Sequence, residues 1–311
     1  QRVLIAVPHA PTLQQITLFD RQGKVLSKVG EPGRYRQPTL SPDGTKVAVV
    51  RDVPQTGNAD IWTFDVASGK GTPVTLDSSA DWEAIWSPDG NQVAYTSNRG
   101  SFQSIYRKDW DGTGNEELLF QNTPGASTGL TDWSADGKFL TVTSGGVLLV
   151  VPLAGSQKGL ERKAIEWLRD EYRVQQGRIS PDSRYMAYLS DELKTKDEID
   201  ARIQEVYVRP FDASKPEAGA GSAKAVQASN AGARGMVFWR QDGKEMYYLN
   251  ADWEVMAVEV TTTPTFQAGT PRLLFKLPGH LIQNPTQWKN GSGDGQRFVF
   301  AISVPASLSA R

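Results

Sequence analysis

One short turn recurs along the whole chain and sets its architecture. The copies are Ser41-Pro42-Asp43-Gly44, Ser87-Pro88-Asp89-Gly90, Ser134-Ala135-Asp136-Gly137, Ser180-Pro181-Asp182-Ser183, Arg240-Gln241-Asp242-Gly243 and Ser292-Gly293-Asp294-Gly295. Counted from aspartate to aspartate, they lie 46, 47, 46, 60 and 52 residues apart. A period of about 40–50 residues matches one four-stranded propeller blade and exceeds that of most helical repeats. The turn chemistry is explicit: serine bonds back to the chain, proline pre-sets the second position, and glycine accepts the positive φ that follows. Ser183 takes the glycine place in the fourth copy, which predicts a mildly strained turn there.

Alternation after each turn supplies the strands. Residues four and six beyond the aspartate are apolar in every copy: Val47/Val49, Val93/Tyr95, Leu140/Val142, Met186/Tyr188, Met246/Tyr248 and Phe298/Phe300. One face of each of these strands therefore belongs to a core. Before the turn stand Leu40, Trp86, Trp133, Ile179 and Trp239, suited to packing between blades, whereas the sixth copy has Gly291. Third strands follow at Ile61 to Asp65, Ile105 to Asp109, Val147 to Leu153, Val206 to Pro210 and Val255 to Val260, each trailed by a short fourth strand.

The N-terminal stretch Ile16 to Asp20 has third-strand spacing but lacks its own first two strands. Gln287 to Asn290 and Arg297 to Ala301 supply them from the other end of the chain. Residues 1–311 thus read as one all-β domain, a six-bladed propeller closed by pairing its two termini, which removes exposed sheet edges. Val3 to Ala6 competes with Phe298 to Ala301 for the same strand, leaving a seventh, partial blade as the alternative.

The run Ile85-Trp86-Ser87-Pro88-Asp89-Gly90-Asn91-Gln92-Val93-Ala94-Tyr95-Thr96-Ser97-Asn98-Arg99-Gly100, followed by Ser104-Ile105-Tyr106, resembles the repeat of TolB-like propellers. Similar repeats occur in the propeller domains of prolyl oligopeptidase relatives and in extracytoplasmic regions of some bacterial serine/threonine kinases. The resemblance implies a periplasmic or extracellular setting. It is specific for fold and weak for function, because function resides in sites grafted onto folds.

Two segments depart from the repeat, both in the fourth unit. Residues 191–204 are highly charged and read as a solvated loop, with a lid or partner-binding role as the alternative. Residues 212–223 are rich in Ala, Gly and Ser and read as a flexible connection. Arg162 to Arg173 reads as one or two helical turns.

The chemical inventory narrows the function. Lys plus Arg total 34 against 35 for Asp plus Glu, so no net field favours nucleic acid. Apolar runs such as Val147 to Val151 are far short of the roughly 20 residues of a membrane span. Absence of cysteine excludes disulfides, thiolate zinc sites and a cysteine nucleophile. Only His9 and His280 are available, and no phosphate-cradling loop is present. The six turn aspartates fall one per blade and are explained by the turn, not by a calcium site. No cofactor or metal is therefore expected.

What remains is the mouth of the channel, where the first strands enter. Counting back eight to six positions from each turn aspartate gives Tyr35, Arg36 and Gln37; Asp81, Trp82 and Glu83; Thr128 and Gly129; Gln175 and Gln176; Arg234; and Thr286, Gln287 and Trp288. This ring suits a protein, peptide or small polar ligand held by convergent hydrogen bonds. The favoured reading is a non-catalytic binding module of a monomeric domain, either a free periplasmic protein or a sensor portion. The competing one is a carbohydrate lyase or hydrolase using Asp81 and Glu83 with Arg36, since carboxylates two apart on a strand point the same way.

Overall fold

The computed structural model describes residues 12–53, 57–99, 102–155, 159–192, 204–221, 223–277 and 291–304. Six antiparallel sheets follow one another around a ring. Blade 1 comprises Tyr35–Leu40, Lys46–Val53, Asn58–Asp65 and Gly71–Pro73. Blade 2 comprises Asp81–Trp86, Gln92–Ser97, Ser104–Asp109 and Glu117–Gln121, and blade 3 Gly129–Trp133, Phe139–Ser144, Val147–Pro152 and Ile165–Leu168. Val174–Ile179, Tyr185–Ser190, Glu205–Pro210 and Val226–Gln227 form blade 4. Blade 5 has Ala233–Trp239, Glu245–Asn250 and Glu254–Thr261, against which both Gln267–Ala268 and Arg272–Lys276 pair as outer strands.

Blade 6 is assembled from both ends of the chain. Arg297–Ser303 pairs with Gln14–Asp20 in unbroken register from Asp20↔Arg297 to Gln14↔Ser303, and Val25–Gly33 completes the outer edge. Phe298 to Ala301 therefore holds the second-strand place for which two segments competed. Val3 to Ala6 lies outside the described residues, as do His9 and His280. Residue Gly291, bridged to Phe298, is the described remnant of the first strand.

Each pair of neighbouring blades encloses its own apolar cluster, so the core is six wedges and not one centre. The large residue before each turn lies in such a wedge: Leu40 between blades 6 and 1, Trp86 between 1 and 2, Trp133 between 2 and 3, Ile179 between 3 and 4, and Trp239 between 4 and 5. Between blades 5 and 6 the ring of Phe238 fills the corresponding space, and a Cβ on Gly291 would lie 2.1 Å from its Cζ. The sixth copy departs from the pattern because its neighbour has already occupied the hole.

The turns work through the aspartate as much as through proline and glycine. Asp43 Oδ1 accepts the Ser41 hydroxyl at 2.6 Å and the Thr45 N–H at 3.0 Å, while Ser41 Oγ accepts the Lys46 N–H at 2.9 Å. The same three bonds recur around Asp89, Asp136, Asp182 and Asp294. In the fifth copy Arg240 replaces the serine, and its guanidinium grips both oxygens of Asp242 at 2.7 and 2.9 Å. Burial would push the Asp43 carboxyl up, but the Ser41 hydroxyl and the Thr45 donors outweigh it and bring it down to about 2. Ser183 adopts φ 57° where the other copies carry glycine, the strained turn its identity predicted.

Two expectations are corrected. Within Arg162 to Arg173 the chain forms the strand Ile165–Leu168, because blade 3 needs an outer edge and Trp167 and Leu168 bury against it. Among the described residues the helical pieces are two short 3-10 turns, Gly159–Glu161 and Pro216–Ala218. Second, the 212–223 segment is anchored at Ala220, whose N–H donates to the Trp167 carbonyl at 2.6 Å and whose side chain is buried. Of residues 191–204, 193–203 lie outside the described set.

Candidate binding site in the channel

Each described first strand, in blades 1 to 5, has a strand neighbour on one edge only, and its other edge faces the channel. Backbone groups on that edge still need partners. The chain supplies them from side chains of the adjacent blade, and it places those side chains with a bulge.

Five described first strands break register about midway, between Arg36 and Thr39, Trp82 and Ile85, Leu130 and Asp132, Gln175 and Arg178, and Gly235 and Phe238. At the bulge Gln37, Glu83, Gln176 and Met236 take φ of 54°, 58°, 56° and 63°, each six residues before its turn aspartate. A left-handed non-glycine residue costs about 1–2 kcal/mol, so four at one repeat position mark a conformation that the ring imposes. Bulges of this kind re-aim side chains.

The re-aimed side chains form a relay between blades. Gln37 Oε1 accepts the Glu83 N–H at 3.0 Å, and Glu83 Oε2 accepts the Leu130 N–H at 2.7 Å and the Thr96 hydroxyl at 3.0 Å. One layer nearer the turns, the Thr39 hydroxyl donates to the Ala84 carbonyl, Asp132 Oδ2 accepts the Ile179 N–H at 3.2 Å, and Arg178 Nε donates to the Val237 carbonyl at 2.8 Å. Arg178 is fully buried, with Nη1 3.9 Å from Asp132 Oδ1. Burial lowers its pKa against the pull of Asp132 and Glu83. The Glu83 carboxyl is pushed up to about 7 by burial, against the Leu130 N–H, the Thr96 hydroxyl and Arg178.

The structure gathers only part of the ring expected at the mouth. Glu83, Gln175, Thr128 and Gly129 line a vestibule of about 370 Å³ together with Arg173, Thr143 and the Gly145-Gly146 hairpin. Gln37 and Gln176 belong to the bulge layer, Gln37 half-buried and Gln176 buried. Arg234 is exposed, donates to the Ala251 carbonyl at 2.8 Å, and stands 5.4 Å from the Trp253 ring. Thr286, Gln287 and Trp288 lie outside the described residues.

Other members point elsewhere. Tyr35 is buried edge-to-face against Phe64 at 5.5 Å, with its hydroxyl donating to the Glu31 carbonyl. Trp82 packs on the wedge between blades 1 and 2, and Arg36 pairs with Asp52. Asp81 is fully buried opposite Ser97 in the blade, where burial pushes its carboxyl up to about 6, opposed by the Ser97 and Thr75 hydroxyls. The expectation that Asp81 and Glu83 point the same way fails because the register break at Trp82–Ile85 ends simple alternation. Asp132 and Arg178 escaped the count, since they lie four residues before the turn aspartate and the count covered eight to six. Their signal was a charge directly beside the large residue that precedes the turn, Trp133 or Ile179.

Among the described residues no group of three His, Asp or Glu side chains is placed to hold a metal ion, and no helix is long and apolar enough to cross a membrane. Comparison with known proteins agrees with the geometry. The chain is similar to the "Uncharacterized peptidase YuxL" of Bacillus subtilis, 31% identical over 111 residues, a match spanning 34% of this chain and 16% of that protein. Its fold is similar to the structure of putative TolB from Agrobacterium tumefaciens, with TM-score 0.68 and 17% identity, covering 96% of this chain and all of the other. It is also similar to an oligogalacturonate lyase in complex with manganese, with TM-score 0.53 and 11% identity over 94% of this chain and 83% of the other. Identities this low carry the fold alone. The model of the TolB beta propeller domain matches residues 9–201, more than half of the sequence, and with the six closed blades it places this chain in the TolB-like β-propeller family.

Proposed function

We propose that this propeller is a non-catalytic binding module that recognises a protein, peptide or small polar ligand at the strand-entry mouth, as a periplasmic protein or the sensor portion of a larger extracytoplasmic one. The observation that carries the reading is the separation of the groups an acid/base site would need. Arg36 is engaged by Asp52, Asp81 is buried in the blade beside Ser97, and Glu83 is held by the Leu130 N–H and Thr96. A vestibule edged by Gln175, Thr128, Arg173 and glycine backbone offers convergent hydrogen bonds without an activated nucleophile. The resemblance to periplasmic TolB-like proteins supports the location.

A second reading, a carbohydrate lyase or hydrolase, draws on one feature: Glu83, with its carboxyl held near 7, faces the vestibule. General acids and bases work best with a pKa near the operating pH. A panel of peptides and glycosides assayed with purified protein separates the two. Binding without turnover, weakened by Gln175→Ala, is expected; turnover abolished in Glu83→Gln would overturn the binding-module reading.

A further inference from the structure

The vestibule at the mouth has two charged side chains on its wall, Arg173 and Glu83, and each keeps polar capacity in hand. The Arg173 side chain is 34% exposed, and its ion-pair partner Asp191 stands 3.6 Å from Nη2, longer than a hydrogen bond. Its Nε is buried without a partner among the described residues. Asp191 spends Oδ1 on the Arg173 backbone N–H at 2.7 Å instead. A guanidinium is a planar fork of five donors that matches a carboxylate bidentately.

Glu83 is engaged on one oxygen. Oε2 accepts the Leu130 N–H and the Thr96 hydroxyl, whereas a Cβ on Gly129 would lie 3.7 Å from Oε1. Gly129 does not have positive φ, and the nearest atom to that Cβ would be the Thr143 carbonyl oxygen at an ordinary 3.5 Å. Neither backbone nor packing therefore calls for glycine; its effect is to leave Oε1 uncovered. Thr143 Oγ1, on the same wall, is buried without a partner among the described residues, although buried polar groups are as a rule hydrogen-bonded.

The charges around the vestibule decide which ligand suits it. Three carboxyl groups, Glu83, Asp191 and the deeper Asp132, stand against two guanidinium groups, Arg173 and Arg178. A ligand with only negative charge would enlarge the acidic share, and one with only positive charge would face Arg173. A ligand carrying both leaves the balance as it stands. The volume of about 370 Å³ lies at the lower end of small-molecule sites.

We propose that the vestibule binds a zwitterionic α-amino acid, its carboxylate on the Arg173 fork and its ammonium at Glu83 Oε1. This ligand is one instance of the small polar class named for the binding module and rests on that reading.

The test titrates L-alanine into the full chain by calorimetry, beside L-lactate, L-alaninamide and N-acetyl-L-alanine. Lactate exchanges the ammonium for a hydroxyl, alaninamide lacks the carboxylate, and the acetyl group removes the positive charge. L-alanine is expected to bind in the millimolar range or tighter and the other three about tenfold more weakly, the scale of one charge-assisted hydrogen bond. Arg173→Gln, at a partly exposed side chain, should weaken L-alanine to the same extent. Glu83→Gln, which keeps an oxygen for the Leu130 N–H, should do likewise. Gly129→Val, which suits a strand and covers Oε1, should weaken binding without lowering the melt. Lactate or N-acetyl-L-alanine binding as tightly as L-alanine, or an unchanged titration in Arg173→Gln, overturns the proposal, as does absence of L-alanine binding. A peptide or glycoside that still binds in a Gln175-dependent way would then leave the binding-module reading standing. Conversion of bound L-alanine to a new product, seen by NMR of the recovered ligand, would overturn the non-catalytic reading while supporting the ligand class.

Discussion

Replacing Gly291 by alanine tests how the ring closes. The added Cβ would lie 2.1 Å from Cζ and 2.4 Å from Cε2 of Phe238, against an ordinary carbon–carbon contact of about 3.5–4.0 Å. Phe238 cannot retreat easily, since it is buried with its ring 4.8 Å from that of Tyr247 and 6.2 Å from that of Phe298. Overpacking of this kind costs about 1–3 kcal/mol or more. Gly291 does not have positive φ, so alanine also narrows the unfolded ensemble and recovers about 0.4–1 kcal/mol. A net loss of about 2 kcal/mol is expected, or roughly 4–8 °C in melting temperature at about 2–4 °C per kcal/mol. Phe238→Leu in the same chain should relieve the clash, giving a favourable coupling of about 1 kcal/mol or more in a double-mutant cycle. A Gly291→Ala protein that melts with the parent, or a double variant no better than the sum of the two single changes, would refute the packing account.

Three further outcomes follow from the turns and the channel. Ser183→Gly should stabilise the protein by about 0.5–1 kcal/mol in urea titrations by releasing the left-handed φ, whereas Gly90→Ala should destabilise it by about 1–2 kcal/mol. Asp43→Asn should lose about 1 kcal/mol at pH 7, the usual scale of a hydrogen-bonding group at a partly exposed site. Because the folded carboxyl titrates at about 2, below its ordinary 3.8, that contribution is present above pH 4 and fades as pH falls through 2, where parent and variant should converge. Glu83 has the opposite sign. Its raised folded value means that the parent loses stability as pH rises from about 4.5 to 7, and Glu83→Gln should remove that slope, worth roughly 1–3 kcal/mol.

The blades were legible in the sequence because the signals are local. A turn of fixed chemistry and apolar residues at fixed offsets specify a hairpin without reference to the rest of the chain, as Val93 and Tyr95 after Asp89 illustrate. Pairing of the ends could also be read, since Ile16 to Asp20 visibly lacked half a blade. The strand at Ile165–Leu168 was harder: its alternation covers four residues, too few to separate it from helix. Direction inside the channel was the main failure. Asp81 and Glu83 satisfy a rule of two that the bulge breaks, and nothing in Asp-Trp-Glu-Ala announces a left-handed residue. The requirement comes from the facing blade, whose unpaired edge needs the side chain of Glu83 at the Leu130 N–H. Only the closed ring contains that information.

The same contrast shows where a repeat protein can carry individuality. Positions that recur, the serine and aspartate of the turn and the large residue before it, are consumed in holding the ring and are tied to it by bonds of 2.6–3.2 Å. Four residues before the first five turn aspartates, by contrast, the chain places Thr39, Ile85, Asp132, Arg178 and Phe238. No common structural demand unites a hydroxyl, two apolar side chains, a carboxylate and a guanidinium. Burying the last two in one channel requires partners, since an isolated buried charge is strongly disfavoured. Asp132, Arg178 and Glu83 meet that demand from three different blades, with Glu83 facing the vestibule. The departures from the repeat, not the repeat itself, therefore set the charge inside this channel.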